Sequence, residues 1–375
     1  MADSRCALVV ARRAEPADAR PLDFRSDTLT QPTPQMRKAM AEAEVGDDVY
    51  GEDPTVLRLQ EKGARIVGTE AALFVPTGTM GNQAAVWVHS GRQGALVCED
   101  NCHLALYEGG AAALLSNVLF RTVQTADGTF DPEAIERHFP PPHDAHFAQV
   151  KLVAIENTHN YSGGRTWSVA QTNAVRDFVQ ERGAKLHIDG ARIFNAAIAR
   201  KTTAARLCAG ADSVMFCLSK GLSAPVGSLL CGSKQFIEQA HGARKVLGGG
   251  MRQAGHMAAA GIVALDTMVD RLAEDHANAK ALAKGLADLP GVAVDLKAVE
   301  TNMVMANVSA TGMTSAQFIE SAKAAGVLCL NRDAGPTVRF VTHRHITAAA
   351  VRDAIERLAA IPLRGAGRRP GRPRP

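Results

Sequence analysis

From residue 70 onward, short apolar runs alternate with stretches of helical periodicity, and no other feature constrains the fold of this chain so strongly. Strands buried on both faces read as unbroken apolar segments, and the runs at 72–75, 95–98, 118–123, 151–156, 185–188, 213–218 and 228–232 have that form. They predict an α/β fold, a mostly parallel sheet with helices on both faces. Between two of them, residues 169–181 repeat apolar positions at helical spacing, with Val169, Val175 and Phe178 inward. The pattern changes near Gly248-Gly249-Gly250. A long Ala-rich helical stretch from 251 to about 289 follows, then short runs at 292–296, 302–308, 327–330 and 338–342, and helices at 314–325 and 348–360, the last with Thr347 as its N-cap. The expected organisation is a leader over 1–21, an N-terminal arm and large domain over 22–250, a smaller C-terminal α+β domain over 251–363, and a tail over 364–375.

With 375 residues, 46% of them hydrophobic, the chain can build a substantial core. No apolar run approaches the roughly 20 residues that cross a bilayer, so no membrane partner is expected. The leader mixes arginines with Asp3, Glu15 and Asp18 and reads as neither a signal nor a transit peptide. The net charge of +4 points toward nucleic acid only until its location is read. Arg364, Arg368, Arg369, Arg372 and Arg374 supply the excess, in a Gly/Pro/Arg tail that should be disordered and solvated, so no nucleic-acid partner is expected. The seven cysteines, with no closely spaced pair of the Cys-x-x-Cys kind, lie mostly in apolar runs and read as reduced core residues of a cytoplasmic protein. Cys98, Cys102 and His103 lack the second ligand pair of a zinc site, and no metal is expected.

The chemistry rests on a lysine and an aspartate. Lys220 follows the apolar run Val214-Met215-Phe216-Cys217-Leu218, 31 residues after Asp189 in Leu186-His187-Ile188-Asp189-Gly190. An amine that forms a Schiff base needs a rigid, partly desolvated strand end. A carboxylate at another strand end bonds the ring nitrogen of pyridoxal 5'-phosphate and keeps it protonated. Around this pair, Pro76-Thr77-Gly78-Thr79-Met80-Gly81-Asn82 leaves a strand and opens a helical pattern at Asn82, so Gly78 and Thr79 either close a structural turn or donate to the cofactor phosphate. His103 follows another strand, where it either faces solvent or lies against the cofactor ring. Asn157, in Glu156-Asn157-Thr158-His159-Asn160, ends a strand on the same carboxyl edge, where it is either a solvated loop residue or a partner of the cofactor's phenolic oxygen. Arg192 points to that oxygen or to a substrate carboxylate. Arg339, in the apolar run 337–342, either meets an anion or projects to solvent.

Assembled, these residues resemble the low-specificity L-threonine aldolases, fold type I pyridoxal phosphate enzymes of the aspartate aminotransferase fold. The resemblance runs from about Asp23 to Ala360, and its most specific stretch is Gly46-Asp47-Asp48-Val49-Tyr50-Gly51. It implies Lys220 as the cofactor-bearing lysine, Asp189 on the ring nitrogen, His103 stacked on the ring, and Gly78 and Thr79 on the phosphate. It also implies Ser26, Arg192 and Arg339 on the substrate carboxylate and Arg252 reaching the phosphate of a neighbouring subunit, hence a homodimer or homotetramer with shared active sites. His146 matches a second family histidine near the substrate hydroxyl. The implied reaction is reversible cleavage of L-threonine, L-allo-threonine and other β-hydroxy-α-amino acids to glycine and an aldehyde, with His103, His146 or a water as base. The alternatives are another fold type I reaction, aminotransfer or β-elimination on a small amino acid, and a non-catalytic protein that keeps the cofactor pocket.

Overall fold

The computed structural model describes residues 21–91, 94–142 and 144–363, so the expectations for the leader up to residue 20 and for the tail lie outside the described residues. After a short β1 (Leu22–Asp23), seven strands form one sheet: β2 (Ala71–Val75), β3 (Ala95–Glu99), β4 (Leu119–Val123), β5 (Val150–Glu156), β6 (Lys185–Asp189), β7 (Ser213–Cys217) and β8 (Ser228–Gly232). Their order is β2-β8-β7-β6-β5-β3-β4. Only β8 runs against its neighbours, β2 and β7, and the other pairings are parallel, giving the α/β fold expected.

Strand alternation divides the apolar side chains between two cores. Phe74, Phe216 and Leu229 face one core, with Val56 and Leu59 of the helix Pro54–Val67 and Val175 and Val179 of the helix Val169–Glu181. Leu73, Val75, Met215 and Leu230 face the other, with Ala84 and Ala85 of the helix Gly78–Ser90 and Phe236, Ala240 and Ala243 of the helix Lys234–Val246. Both faces of β7 are therefore dry, which is why residues 214–217 are apolar without a break. Val169 and Phe178 pack half-buried against the first core, and Val175 is fully buried.

The C-terminal part holds β9 (Met303–Asn307), β10 (Val327–Leu328), β11 (Leu330–Asn331) and β12 (Thr337–Val341). β9, β12 and β11 form an antiparallel sheet, whereas β10 pairs with β1 in parallel, Leu22 opposite Val327. Phe24, just past β1, is buried in the C-terminal core and meets Phe340 edge to face at 6.1 Å.

Several expected elements differ. The single helical stretch from 251 to 289 is two helices, Gly255–Thr267 and Leu272–Ala287. The first buries Ala258, Ala260 and Ala264 in the large-sheet core and the second buries Ala279, Leu282 and Leu286 in the C-terminal core. One straight rod would not reach both. The run 292–296 forms no strand, only an isolated bridge from Ala293 to Asn307. Val292 is buried but Leu296 is 47% exposed, so the run has no continuous face to bury. The helix after β2 begins at Gly78, four residues before Asn82, with Thr77 as N-cap accepting from the Met80 N–H. Thr347 caps the last helix, Ala348–Ala359, as expected. Among the described residues, no helix is long and apolar enough to cross a membrane, and Cys98, Cys102, Cys208, Cys217, Cys231 and Cys329 are buried free thiols.

Candidate active site

The parallel strands point their carboxyl ends at one edge of the sheet, which is where open α/β folds gather ligands. Glu156 and Asp189 end β5 and β6 as register partners, and Lys220 lies three residues beyond β7. A cavity of about 320 Å³ opens at this edge, between the large sheet and β11–β12. Ser26, His103, Arg192, Lys220 and Arg339 all line it, so five residues singled out in the sequence from positions 26 to 339 meet in one place. Tyr107, Asn160, Tyr161 and Arg332 complete much of the wall. The Tyr161 hydroxyl donates to Asp333 at 2.8 Å, and the Arg332 guanidinium lies 4.6 Å above the Tyr161 ring.

The lysine's backbone is held tightly. Its carbonyl accepts from Thr30 Oγ1 at 2.7 Å and from the Ser223 N–H at 2.9 Å. Asp189 is buried, with Oδ1 accepting from the Ala191 N–H at 3.0 Å and Oδ2 from Asn82 Nδ2 at 2.7 Å. Since the Asn82 amide nitrogen donates there, its oxygen must accept, and His187 Nε2 meets it at 3.0 Å. Burial holds His187 at a pKa of about 4, so it is a neutral donor that fixes the orientation of Asn82.

Besides Arg332, two further guanidiniums line the cavity. Arg192 forms a two-pronged ion pair with buried Asp27, at 2.7 and 2.8 Å. Burial opposes the charge on Asp27, but Arg192 outweighs it and brings the carboxyl pKa to about 2. Arg339 donates from Nη1 to Asn160 Oδ1 at 2.9 Å, while its buried Nε has no partner. Burial first, and then repulsion from Arg192, lowers the Arg339 pKa, so the pair is an electrostatic demand for an anion. Ser26 Oγ accepts from the Thr28 N–H at 3.2 Å at the cavity wall.

Six expected residues are not among the cavity lining: the buried Asp189, and Asn157, His146, Arg252, Gly78 and Thr79. Asn157 is fully buried, with Oδ1 accepting from the Trp167 N–H at 3.3 Å and Nδ2 unpartnered, because the chain turns its side chain under the sheet edge. His146 is on the surface, its side chain 90% exposed and Nδ1 2.9 Å from Asp144, so the single chain does not bring it to Lys220. Arg252 donates to Asp47 at 2.8 Å within its own chain. Gly78 and Thr79 form the first turn of their helix, past the end of β2.

The sequence reading assigned no role to Asp27, Asn82, Glu108 or Glu156. Glu156 accepts from the backbone N–H groups of His103 and Asn160 at 2.6 and 2.8 Å, tying two cavity residues to the end of β5. Asp27 sits in a polar stretch, Arg25-Ser26-Asp27-Thr28, where a carboxylate is ordinarily solvated, so no local signal marks it as buried. His103, Glu108 and Asp189 bring ligand atoms within 4.8 Å of one another. Asn82, Gln83 and His103 already donate to these carboxylates, which makes the group a hydrogen-bonded cluster.

Fold and site define a lyase of the pyridoxal phosphate class with the fold type I architecture, and the family model for beta-eliminating lyases matches residues 23–311. The chain is 46% identical over 336 residues to low-specificity L-threonine aldolase 1 of Arabidopsis thaliana, covering 88% of this chain and 94% of the relative. It is 42% identical over 327 residues to the low specificity L-threonine aldolase of Escherichia coli K12, covering 87% and 95%. The chain belongs to the low-specificity L-threonine aldolase family. A threonine aldolase structure from Leishmania major superposes with a TM-score of 0.76 at 19% identity over 90% of this chain and 98% of that one. An aspartate aminotransferase structure from Rhodobacter sphaeroides gives 0.69 at 19% identity over 95% and 96%, so the fold is shared across different reactions.

Proposed function

We propose that this chain is a threonine aldolase, cleaving L-threonine and L-allo-threonine reversibly to glycine and acetaldehyde, with larger β-hydroxy-α-amino acids giving the corresponding aldehydes. The observation that carries the reading is the meeting of Lys220, His103, Arg192 and Arg339 in one cavity at the strand ends. The donor set fits pyridoxal 5'-phosphate. A reactive amine, a buried carboxylate at a neighbouring strand end, a helix N-terminus and a pair of guanidiniums match the cofactor aldehyde, its ring nitrogen, its phosphate and the amino acid's carboxylate. When bound, the cofactor supplies an electron sink for the pair left at Cα when the Cα–Cβ bond breaks.

The protein's part is orientation and proton control. Lys220 would hold the cofactor through its amine. Asp189 keeps a proton on the ring nitrogen, and the N–H groups of Gly78 and Thr79 hold the phosphate at the helix N-terminus. Arg192, Arg339 and Ser26 would grip the substrate carboxylate and so orient the amino acid in the cavity. His103 would lie against the cofactor ring and take the β-hydroxyl proton, with a water or His146 of a neighbouring subunit as the other candidates. Arg252 of a neighbour completes the phosphate site in a homodimer or homotetramer. Tyr50, over which Arg252 lies at 5.9 Å, is 73% exposed and available to such an interface. The large unit extends past residue 250 to take in the helix Gly255–Thr267, the smaller unit takes in β1 and Phe24 of the arm, and the buried free thiols suit the cytoplasm.

Incubation of the cofactor-loaded protein with each threonine diastereomer should release acetaldehyde and glycine in equal amounts. Bound cofactor with 2-oxobutanoate as the product, or an amino-group transfer, would replace the aldolase reading with elimination or transamination. Arg339→Ala should raise the KM for threonine about 10- to 100-fold with a smaller change in kcat, because a charge-assisted bidentate contact is worth roughly 1.5–3 kcal/mol. An unchanged KM would remove Arg339 from carboxylate recognition.

A further inference from the structure

Glu108 is a carboxylate that the reaction scheme above leaves without a role, yet it is the best-connected side chain in the site. Its side chain has no exposed surface. Oε1 accepts from Asn82 Nδ2 at 2.8 Å and lies 2.9 Å from His103 Nδ1, and Oε2 accepts from Gln83 Nε2 at 2.5 Å. Asn82 and Gln83 can only donate here, and two amide donors converging on one buried carboxylate suit its ionised form. An anion offers no proton, so His103 Nδ1 must carry the hydrogen it shares with Glu108. The opposite ring nitrogen, Nε2, makes no hydrogen bond among the described residues, on a ring that lines the cavity with 31% of its side chain exposed.

We propose that Glu108 is a positioning residue that fixes His103 in the Nδ1-protonated tautomer and so presents Nε2 to the reacting amino acid. The proposal rests on the reading that His103 acts on the substrate. Glu108 also shares the Asn82 amide with Asp189, so the histidine and the expected partner of the ring nitrogen belong to one hydrogen-bonded unit. The arrangement follows the logic of a histidine oriented by a buried acid, here with the acid on the short helix-turn segment that bears the histidine.

Other groups face the ring as well. Burial opposes protonation of His103, and the carboxylates of Glu108, Asp189 and Glu156 together outweigh it, raising the pKa above the ordinary histidine value. Tyr107 stands 5.6 Å from the ring centroid on the same helix, and Lys220, Arg192, Arg332, Arg339 and Tyr161 surround the cavity. Removing the Glu108 charge alone therefore leaves Asp189 and Glu156 in place, and the change is a shift in titration.

The test reads His103 directly. Diethyl pyrocarbonate modifies only unprotonated imidazole, and peptide mass spectrometry follows the modification of His103 against pH in the full-length protein, with cofactor bound and after its removal. In Glu108→Gln the midpoint should fall by about one pH unit, and kcat for threonine should fall by at least about tenfold while KM stays within about threefold. Glu108→Asp, which restores the charge, should return the midpoint toward wild type. A midpoint unmoved in Glu108→Gln overturns the proposal. The tautomer is tested without any change to Glu108 in ¹⁵N-histidine-labelled protein, where the His103 signal is identified by its loss in His103→Gln. An unprotonated Nε2 above the midpoint supports the proposal, and an unprotonated Nδ1 overturns it even if Glu108→Gln does not fold. Wild-type cleavage rates in His103→Gln, alongside a midpoint that does shift in Glu108→Gln, would instead defeat the reading of His103 as a reacting group and take the catalytic role of Glu108 with it.

Discussion

Lys220→Ala should lose acetaldehyde release from L-threonine by on the order of 10⁴-fold or more while the protein keeps its fold. The side chain reaches into a cavity and the anchoring contacts run through its backbone carbonyl, to Thr30 and Ser223, so truncation deletes the amine and leaves the turn intact. The variant should also lose the absorbance of the protein-linked cofactor, although phosphate contacts still retain some cofactor. Two measurements decide the matter together: a coupled alcohol dehydrogenase assay for acetaldehyde, and a far-ultraviolet spectrum to show that the fold persists. A folded variant retaining a tenth or more of the wild-type rate would show that the cavity around Lys220 is not where the reaction occurs.

Asp27→Ala should destabilise the protein by about 3–5 kcal/mol, because it leaves Arg192 buried without its partner. The pair lies between the N-terminal arm and the loop after β6, with Asp27 fully buried. The double variant Asp27→Ala, Arg192→Met should regain most of that stability and remain inactive, since it removes the uncompensated charge together with a residue assigned to the substrate carboxylate. Urea denaturation checks both, and a cost below about 1 kcal/mol for Asp27→Ala would mean that Arg192 finds another partner. The pair also sets an acid limit. The folded-state pKa of Asp27, about 2, lies below its ordinary value of 3.8. Its contribution, roughly 2 kcal/mol, is therefore fully present above about pH 4 and is lost as the pH falls from there through 2. In Asp27→Ala that part of the acid transition should flatten.

These two sites differ in how much of them the linear chain displays. Lys220 and Asp189 are legible because each sits at the end of an apolar strand, and a strand buried on both faces advertises itself through local composition. Ser26, His103, Arg192 and Arg339 were also within reach, and the cavity does bring them together. Asp27 and Arg192 are separated by 165 residues, and neither carries a mark naming the other. Glu108 is hidden for a related reason. Its partners Asn82 and Gln83 lie on the helix Gly78–Ser90, 26 and 25 residues away, and a glutamate ahead of two glycines is ordinarily a solvated turn residue.

The sequence by itself determined the parallel sheet, the strand ends that carry the lysine and aspartate, the caps at Thr347 and the extent of the helix Val169–Glu181, because those features depend on periodicity and on groups a few residues apart. Tertiary structure decided the pairing of β1 with β10, the division of the helical stretch after Met251 between two cores, the failure of 292–296 to become a strand, and the surface position of His146. It also decided which carboxylates the buried cations and the histidine adopt. Burial makes an unpaired charge costly and so forces a partner, but which of many acidic residues supplies it depends on how distant segments pack, and that information resides in the folded chain alone.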